Sequence, residues 1–193
     1  MYFVSKVVAF EPSERLFRLL RANAVLNGVE DSMRCHNVAL GPERSTANLT
    51  MSEGNTGDYR IAGIALPDDS MGEASRTMQG ITVMPMDDYL DDFDAGSTLI
   101  YMDIQGYEGK ALAGASQILA TSPPLVVEFW PYGMKRLESY PALRTVVCSG
   151  LYGQFANLSE ATPQFRTLSA AALDSLYMSL GEGSEKFTDL LLV

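Results

Sequence analysis

Three short runs of this chain are apolar without alternation, and each stops on an acid. They are Lys6-Val7-Val8-Ala9-Phe10 before Glu11, Thr98-Leu99-Ile100-Tyr101-Met102 before Asp103, and Leu125-Val126-Val127 before Glu128. A run with no polar alternation suits a strand buried on both faces, and such strands belong to parallel sheets covered by helices. Helical patterns lie between the runs. After Pro12, Ser13 is the expected N-cap of a helix carrying Leu16, Leu19, Leu20 and Asn23 on one face, closed by Asn27-Gly28. Ala111, Leu112, Ala115, Ile118 and Leu119 form one helical stripe that stops at Ser122-Pro123-Pro124. Further helices are expected over 141–149 and 169–180, a helical turn over 87–90, and strands over 32–38, 81–84, 152–158 and 190–193. Strands alternating with helices predict an α/β fold, a mostly parallel sheet flanked by helices. Ligands of such sheets bind beyond the carboxyl ends of the strands, so Glu11, Asp103 and Glu128 are all expected along that edge.

The chain has 193 residues, which predicts a single domain over 1–193. Residues 43–80 carry five glycines and little continuous apolar sequence, and read as a loop-rich insertion with one hairpin at 47–51. With 14 basic and 24 acidic side chains the net charge is −10, which argues against nucleic acid and an anionic membrane surface as partners. A small molecule in a pocket is compatible with that charge. Cys35 and Cys148 are too few for a disulfide framework and match no zinc spacing. With no apolar span and no signal-like start over 1–6, a cytoplasmic protein is expected. His36 is the only histidine and lies inside a predicted strand, so a structural role is expected. Asp87, Asp88, Asp91, Asp92 and Asp94 read as a solvated face, and no metal site is expected.

The segment Asp103-Ile104-Gln105-Gly106-Tyr107-Glu108-Gly109 is the most specific part of the chain. Gly106 lets the backbone pass close to a neighbour. Glu108 enters a helix, where the dipole favours an acid whether or not it has a further role. Glu11 is either a solvated strand end or a carboxylate for the two hydroxyls of a ribose. Trp130 is either a wall of an acceptor pocket or an aromatic at the edge of the core.

An ordered set of motifs carries a resemblance. Val8-Ala9-Phe10-Glu11-Pro12, Asn27-Gly28, Asn37-Val38-Ala39-Leu40-Gly41, Met86-Asp87-Asp88-Tyr89-Leu90, Asp103-Ile104-Gln105-Gly106-Tyr107-Glu108 with Leu112 and Gly114-Ala115, and Val126-Val127-Glu128 follow one another as in the FkbM family of methyltransferases, which this sequence resembles. The resemblance implies a class I methyltransferase (Rossmann-like) fold. It also implies S-adenosylmethionine as cofactor and methyl transfer to a hydroxyl oxygen of a sugar or natural product. By the same resemblance, Glu11 holds the cofactor ribose with Pro12 beside it, and Asn37 and Ala39 lie near the adenine. Asp103 sits beside the methionine moiety or the acceptor, and Glu108 orients or deprotonates the acceptor. Asn55, Glu128 and Trp130 border the acceptor.

The family's first strand and its glycine-rich turn are expected before Lys6, and the five residues there contain no glycine. Tyr101 stands where the family often has lysine. The sheet is therefore expected to lack its first strand, leaving edges that invite pairing with a second copy of the chain. Two other readings follow: a non-catalytic or truncated methyltransferase-like domain acting as an interaction module, and a nicotinamide-dependent oxidoreductase using Glu11 for a ribose.

Overall fold

The computed structural model describes residues 4–64, 71–72, 75–94, 96–183 and 186–193. The chain opens with β1 (Val7–Phe10), α1 (Glu14–Leu26) and β2 (Met33–His36), a parallel β-α-β unit in which Val7 lies opposite Met33 and Phe10 opposite His36. Ser13 starts α1 as its N-cap, its hydroxyl accepting the Leu16 N–H at 3.4 Å.

A second sheet follows, built from β3 (Ala39–Leu40), β4 (Ser45–Met51), β5 (Arg60–Ile61) and β6 (Thr77–Met84) in the order β3-β6-β4-β5. The stretch expected to be loop-rich also carries strands, with β4 paired to β6 along its whole length. Ala47, Leu49 and Met51 alternate with polar residues in β4, as Ile81 and Val83 do in β6, and this period places Leu49, Ile81 and Val83 in a small core of their own. Residues 65–70 and 73–74 of the insertion lie outside the described residues.

The main core lies on the third sheet. Its strands are β7 (Ile100–Met102), β8 (Leu125–Phe129), β9 (Gln154–Asn157), β10 (Arg166–Thr167) and β11 (Thr188–Leu192), in the order β10-β9-β11-β8-β7. The helices are α2 (Glu108–Ala113), α3 (Ser116–Leu119), α4 (Pro131–Arg136), α5 (Tyr140–Val147) and α6 (Ala170–Leu180). Leu112, Leu119, Leu125, Phe129, Leu143, Leu173 and Leu190 meet in one buried cluster.

The expectation of a mostly parallel sheet is corrected: the sheets are mixed. β1 with β2, β3 with β6 and β7 with β8 are parallel, whereas β4 with β5 and β6, β8 with β11, and β9 with β10 and β11 are antiparallel. Parallel neighbours need a crossover of a dozen or more residues, usually a helix. The β4–β5 and β9–β10 connections are too short for that, and β11 enters reversed between β8 and β9.

The single helical stripe over 111–119 is likewise two helices, broken at Gly114-Ala115. Gly114 packs against the Gly41 carbonyl, where a side chain has no room. Asp87 then starts α3 in place of a local cap: its carboxylate accepts the Ser116 hydroxyl at 2.9 Å, Gln117 N–H at 3.0 Å and Ile118 N–H at 3.2 Å.

The acidic run is a solvated face only at Asp88, Asp91 and Asp94. Asp88 pairs with Arg44, and Asp92 is buried between Arg34 and His36. His36 has the expected structural role: Phe10 stacks on its ring at 5.2 Å and its Nε2 lies 2.8 Å from Asp92. Among the described residues no helix is long and apolar enough to cross a membrane.

Among the described residues no strand lies between β1 and β7, so the first and third sheets are separate. Val7, Val8 and Ala9 face Leu99, Ile100 and Tyr101 across an open groove floored by Leu40, Met86 and Phe93. Leu99 and Tyr101 are 61% and 67% exposed there, large values for apolar side chains beside a sheet.

Candidate active site

The parallel pairs β1–β2 and β7–β8 point their carboxyl ends the same way, and a cleft opens where those ends meet the second sheet. Phe10, Pro12 and Ala39 form one side, Asp103, Gln105 and Tyr107 the other, and Leu49, Tyr59, Arg60 and Ile61 close it from the insertion. The sequence-predicted residues Pro12, Ala39 and Asp103 therefore share one cavity.

Glu11 and Asn37 fix the rim beside β1. One carboxylate oxygen of Glu11 accepts the Ser13 N–H at 2.7 Å, and the Glu11 N–H donates to the His36 carbonyl at 3.0 Å. Burial raises the Glu11 carboxyl above the ordinary range, and the Ser13 N–H offsets part of that rise. The Asn37 amide donates to the carbonyls of Glu11 at 2.8 Å and Pro12 at 3.2 Å, tying the ends of β1 and β2 together.

The turn after β7 is the most constrained backbone in the site. Gln105 and Gly106 both have positive φ, 59° and 95°. Gly106 lies against Gly133 of α4, and a Cβ on Gly106 would fall 2.6 Å from the Gly133 Cα. The Ser139 hydroxyl donates to the Gly106 carbonyl. Glu108 holds the turn from within: its Oε1 accepts Ile104 N–H at 2.9 Å and Gly106 N–H at 3.2 Å. Glu108 is fully buried, and among the described residues its other oxygen, Oε2, has no hydrogen-bond partner. Burial pushes its carboxyl up to about 7 against the pull of those amides, with Asp103 adding repulsion. Asp103 itself is exposed at the cleft, and the Gln105 side-chain amide donates to it at 3.0 Å.

Glu128 lies deeper than a strand-end acid. It sits within β8, opposite Asp189 of β11, and is 5% exposed. Its Oε2 is buried without a hydrogen-bond partner among the described residues. Desolvation, then repulsion from Asp103, Glu108 and Asp189, pushes its carboxyl up to about 9, with Arg60 pulling the other way.

Trp130 is also buried, with Nε1 unpartnered, and stands at the start of α4 beneath the Arg60 guanidinium at 5.1 Å. Asn55 is exposed and caps its own 3-10 turn, accepting the Gly57 N–H at 3.0 Å. Thus Asp103, Glu108 and Glu128 form one electrostatic group, Glu11 and Asn37 flank the cleft, and Trp130 and Asn55 stand behind or beside it.

Arg60, Tyr59, Tyr107 and Gly133 were not singled out from the sequence. Arg60 pairs with Asp58 while lying over Trp130. An arginine in a polar insertion carries no local sign that distant residues will bury it. Tyr107 stood inside the motif read around Gly106, and its neighbours were the available signal.

The methyltransferase FkbM domain family matches residues 3–152. The crystal structure of methyltransferase FkbM from Methylobacillus flagellatus KT is similar over 98% of this chain, with a TM-score of 0.50 and 16% identity. At that identity the likeness speaks to the fold alone. This chain spans 36% of the length of that one. No curated protein matches the chain.

Proposed function

The chain belongs to the FkbM methyltransferase family, and from that premise we propose that it uses S-adenosylmethionine to methylate a hydroxyl oxygen of a small-molecule acceptor, a sugar or natural product. The observation that carries this reading is the cleft that sets the ends of β1, β2 and β3 against the Asp103 turn.

The residues present fit the cofactor. Glu11 offers an acceptor for a ribose diol, with one oxygen already oriented by Ser13. Pro12, Ala39 and Phe10 give an apolar bed for a base, and Asn37 fixes its rim. Asp103, with Glu108 and Glu128 behind it, suits a ligand bearing positive charge. When bound, the sulfonium supplies an activated methyl group for an in-line displacement.

The protein's part is then orientation and exclusion of water, with a base for the acceptor proton. The Asp103–Gly106 turn is locked by Glu108 and α4, so it holds its ligand-facing atoms in place. Asp103 and Glu108 are the proposed catalytic acids. Asn55, Glu128 and Trp130 are assigned to the acceptor side, with Trp130 and Glu128 acting from below the surface. The thiols of Cys35 and Cys148 are both free, which suits a reducing compartment, and we place the reaction in the cytoplasm.

Calorimetric titration with S-adenosylhomocysteine tests this. Wild type binds, and Glu11→Gln with Asp103→Asn together weakens binding at least tenfold while circular dichroism stays unchanged. Undiminished binding by that double variant rejects the assignment.

A second reading has its own observation. The facing edges of β1 and β7 border an apolar groove, and unpaired edges template strand addition. A methyltransferase-like module that pairs with another strand there, including one of a second copy, uses this surface. It predicts a dimer in sedimentation and no affinity for the homocysteine ligand.

A further inference from the structure

We propose that Glu128 stores a proton in the unliganded site and releases it when a cation enters the cleft beside Asp103, so that the charged methyl donor binds with proton release and its neutral demethylated product does not. The inference rests on the cofactor reading above.

Glu128 is central to its sheet. β7 lies on one side, where Met102 pairs with Val127, and β11 on the other, where Asp189 pairs with Glu128. The charged groups facing it are Asp103 after β7, Glu108 on α2, Asp189 on β11 and Arg60 on β5. Arg60 is the facing cation among the described residues, and it is already paired with Asp58. Two buried glutamates beside Asp103 and Asp189, with one shared cation, do not all ionise together.

The hydrogen bonds decide which acid keeps the proton. Glu108 has two backbone amides on Oε1, and such donors favour its anion. Among the described residues no backbone amide donates to the Glu128 carboxyl, and its Oε2 is shut away from water without a partner. The proton therefore resides on Glu128, which titrates above Glu108.

Asp103 connects this store to the cleft. It is exposed there and repels both buried glutamates. A positive charge beside it offsets that repulsion and favours the ionised form of Glu128. The O–H bond of the Glu128 carboxyl then breaks, its proton passes to water or buffer base, and no electrons are transferred. Once the methyl group has left, the remaining thioether is neutral. Glu128 regains a proton from solvent, and the site loses part of its hold on the product.

The test is titration calorimetry of the 193-residue chain at pH 8 with S-adenosylmethionine and with S-adenosylhomocysteine, each in Tris and in phosphate. The two ligands share their amino and carboxyl groups, so the difference between them isolates the sulfonium. The expected result is release of on the order of one proton with the first ligand and little with the second. The ratio of their affinities rises up to about tenfold per pH unit between about pH 7.5 and 8.5. Glu128→Gln abolishes the difference in proton release between the two ligands.

Equal proton release by the two ligands, or a difference that survives in Glu128→Gln, overturns the proposal. A ligand-free measurement separates this failure from failure of the cofactor reading. Infrared difference spectra at pH 8 show a protonated-carboxyl band that Glu128→Gln lacks. Absence of that band in wild type overturns the store whether or not either ligand binds. Its presence with no binding of either ligand retains the buried acid but rejects both the methyl-donor reading and the release proposed on it.

Discussion

Replacing Gly106 by alanine tests the packing that builds the site. Gly106 has φ 95° and Gly150 has φ 97°, so alanine meets nearly the same backbone strain at both positions. That strain is worth about 1–2 kcal/mol. The surroundings differ. A Cβ on Gly150 meets nothing within 4 Å, whereas one on Gly106 falls 2.3 Å from the Gly133 carbonyl carbon. The atoms met there are backbone of α4, not the end of a flexible side chain, so the clash is not relieved by a rotamer change. Forcing atoms into such a contact adds about 1–3 kcal/mol.

Gly106→Ala is therefore expected to cost about 4 kcal/mol and Gly150→Ala about 1.5 kcal/mol. For a domain of this size each kcal/mol lowers Tm by about 2–4 °C. The expected losses are roughly 8–16 °C and 3–6 °C, read by thermal unfolding followed by circular dichroism. Because the Gly106 turn also carries Asp103, Gly106→Ala weakens S-adenosylhomocysteine binding and Gly150→Ala does not. Equal losses of Tm in the two variants refute the close approach of α4 to the turn.

Asp87→Ala removes the carboxylate that starts α3 and costs about 1–2 kcal/mol, lowering Tm without shifting S-adenosylhomocysteine affinity; an unchanged Tm rejects that capping role. Asp174 accepts both Tyr140 Oη and the Arg144 fork, which hold its carboxyl below the ordinary range. A depressed acid stabilises the fold above its unfolded pKa of about 3.9 and loses that contribution as pH falls through the folded value. Asp174→Asn is thus expected to be less stable than wild type at pH 7, with the two converging in acid; parallel curves reject the pairing. Glu128 has the opposite sign. Its folded value near 9 lies above an unfolded value of about 4.3, so the folded chain holds more protons and loses stability as pH rises across that window. Glu128→Gln gains on wild type between about pH 5 and 8 in denaturant titrations, and a constant difference contradicts the buried acid.

The features legible in the sequence were those set by local pattern. Unalternated apolar runs located β1, β7 and β8, and the acid after β7, Asp103, marked the edge where the cleft opens. Ser13 and Ser169 cap helices as their spacing implies. Features set by distant partners were not legible. Asp87 looks like surface charge until α3 arrives to use it. The stripe over 111–119 keeps one face through its break, and the break depends on Gly41 and Asp87. Mixed strand order depends on where β11 inserts, which no window of sequence encodes. Glu128 reads as a strand end, yet Phe129 continues the strand and Asp189 lies across from it, so its depth comes from pairing.

That depth explains why the site's charges work against the fold. A carboxyl within a sheet, facing three other acids, is stable chiefly as the neutral acid, so its ionisation is costly without a compensating charge. The same chain sets Asp92 between Arg34 and His36, so it has the means to pair a buried acid where only folding is at stake. At Glu128 it does not use them. Perturbed acids cluster where a ligand completes the electrostatics. The locked turn at Gly106 adds the second half of the argument, because rigid backbone keeps Asp103 from swinging away to relieve the repulsion. Strain of charge and strain of backbone thus meet at one strand end, where a cationic ligand relieves the first without disturbing the second.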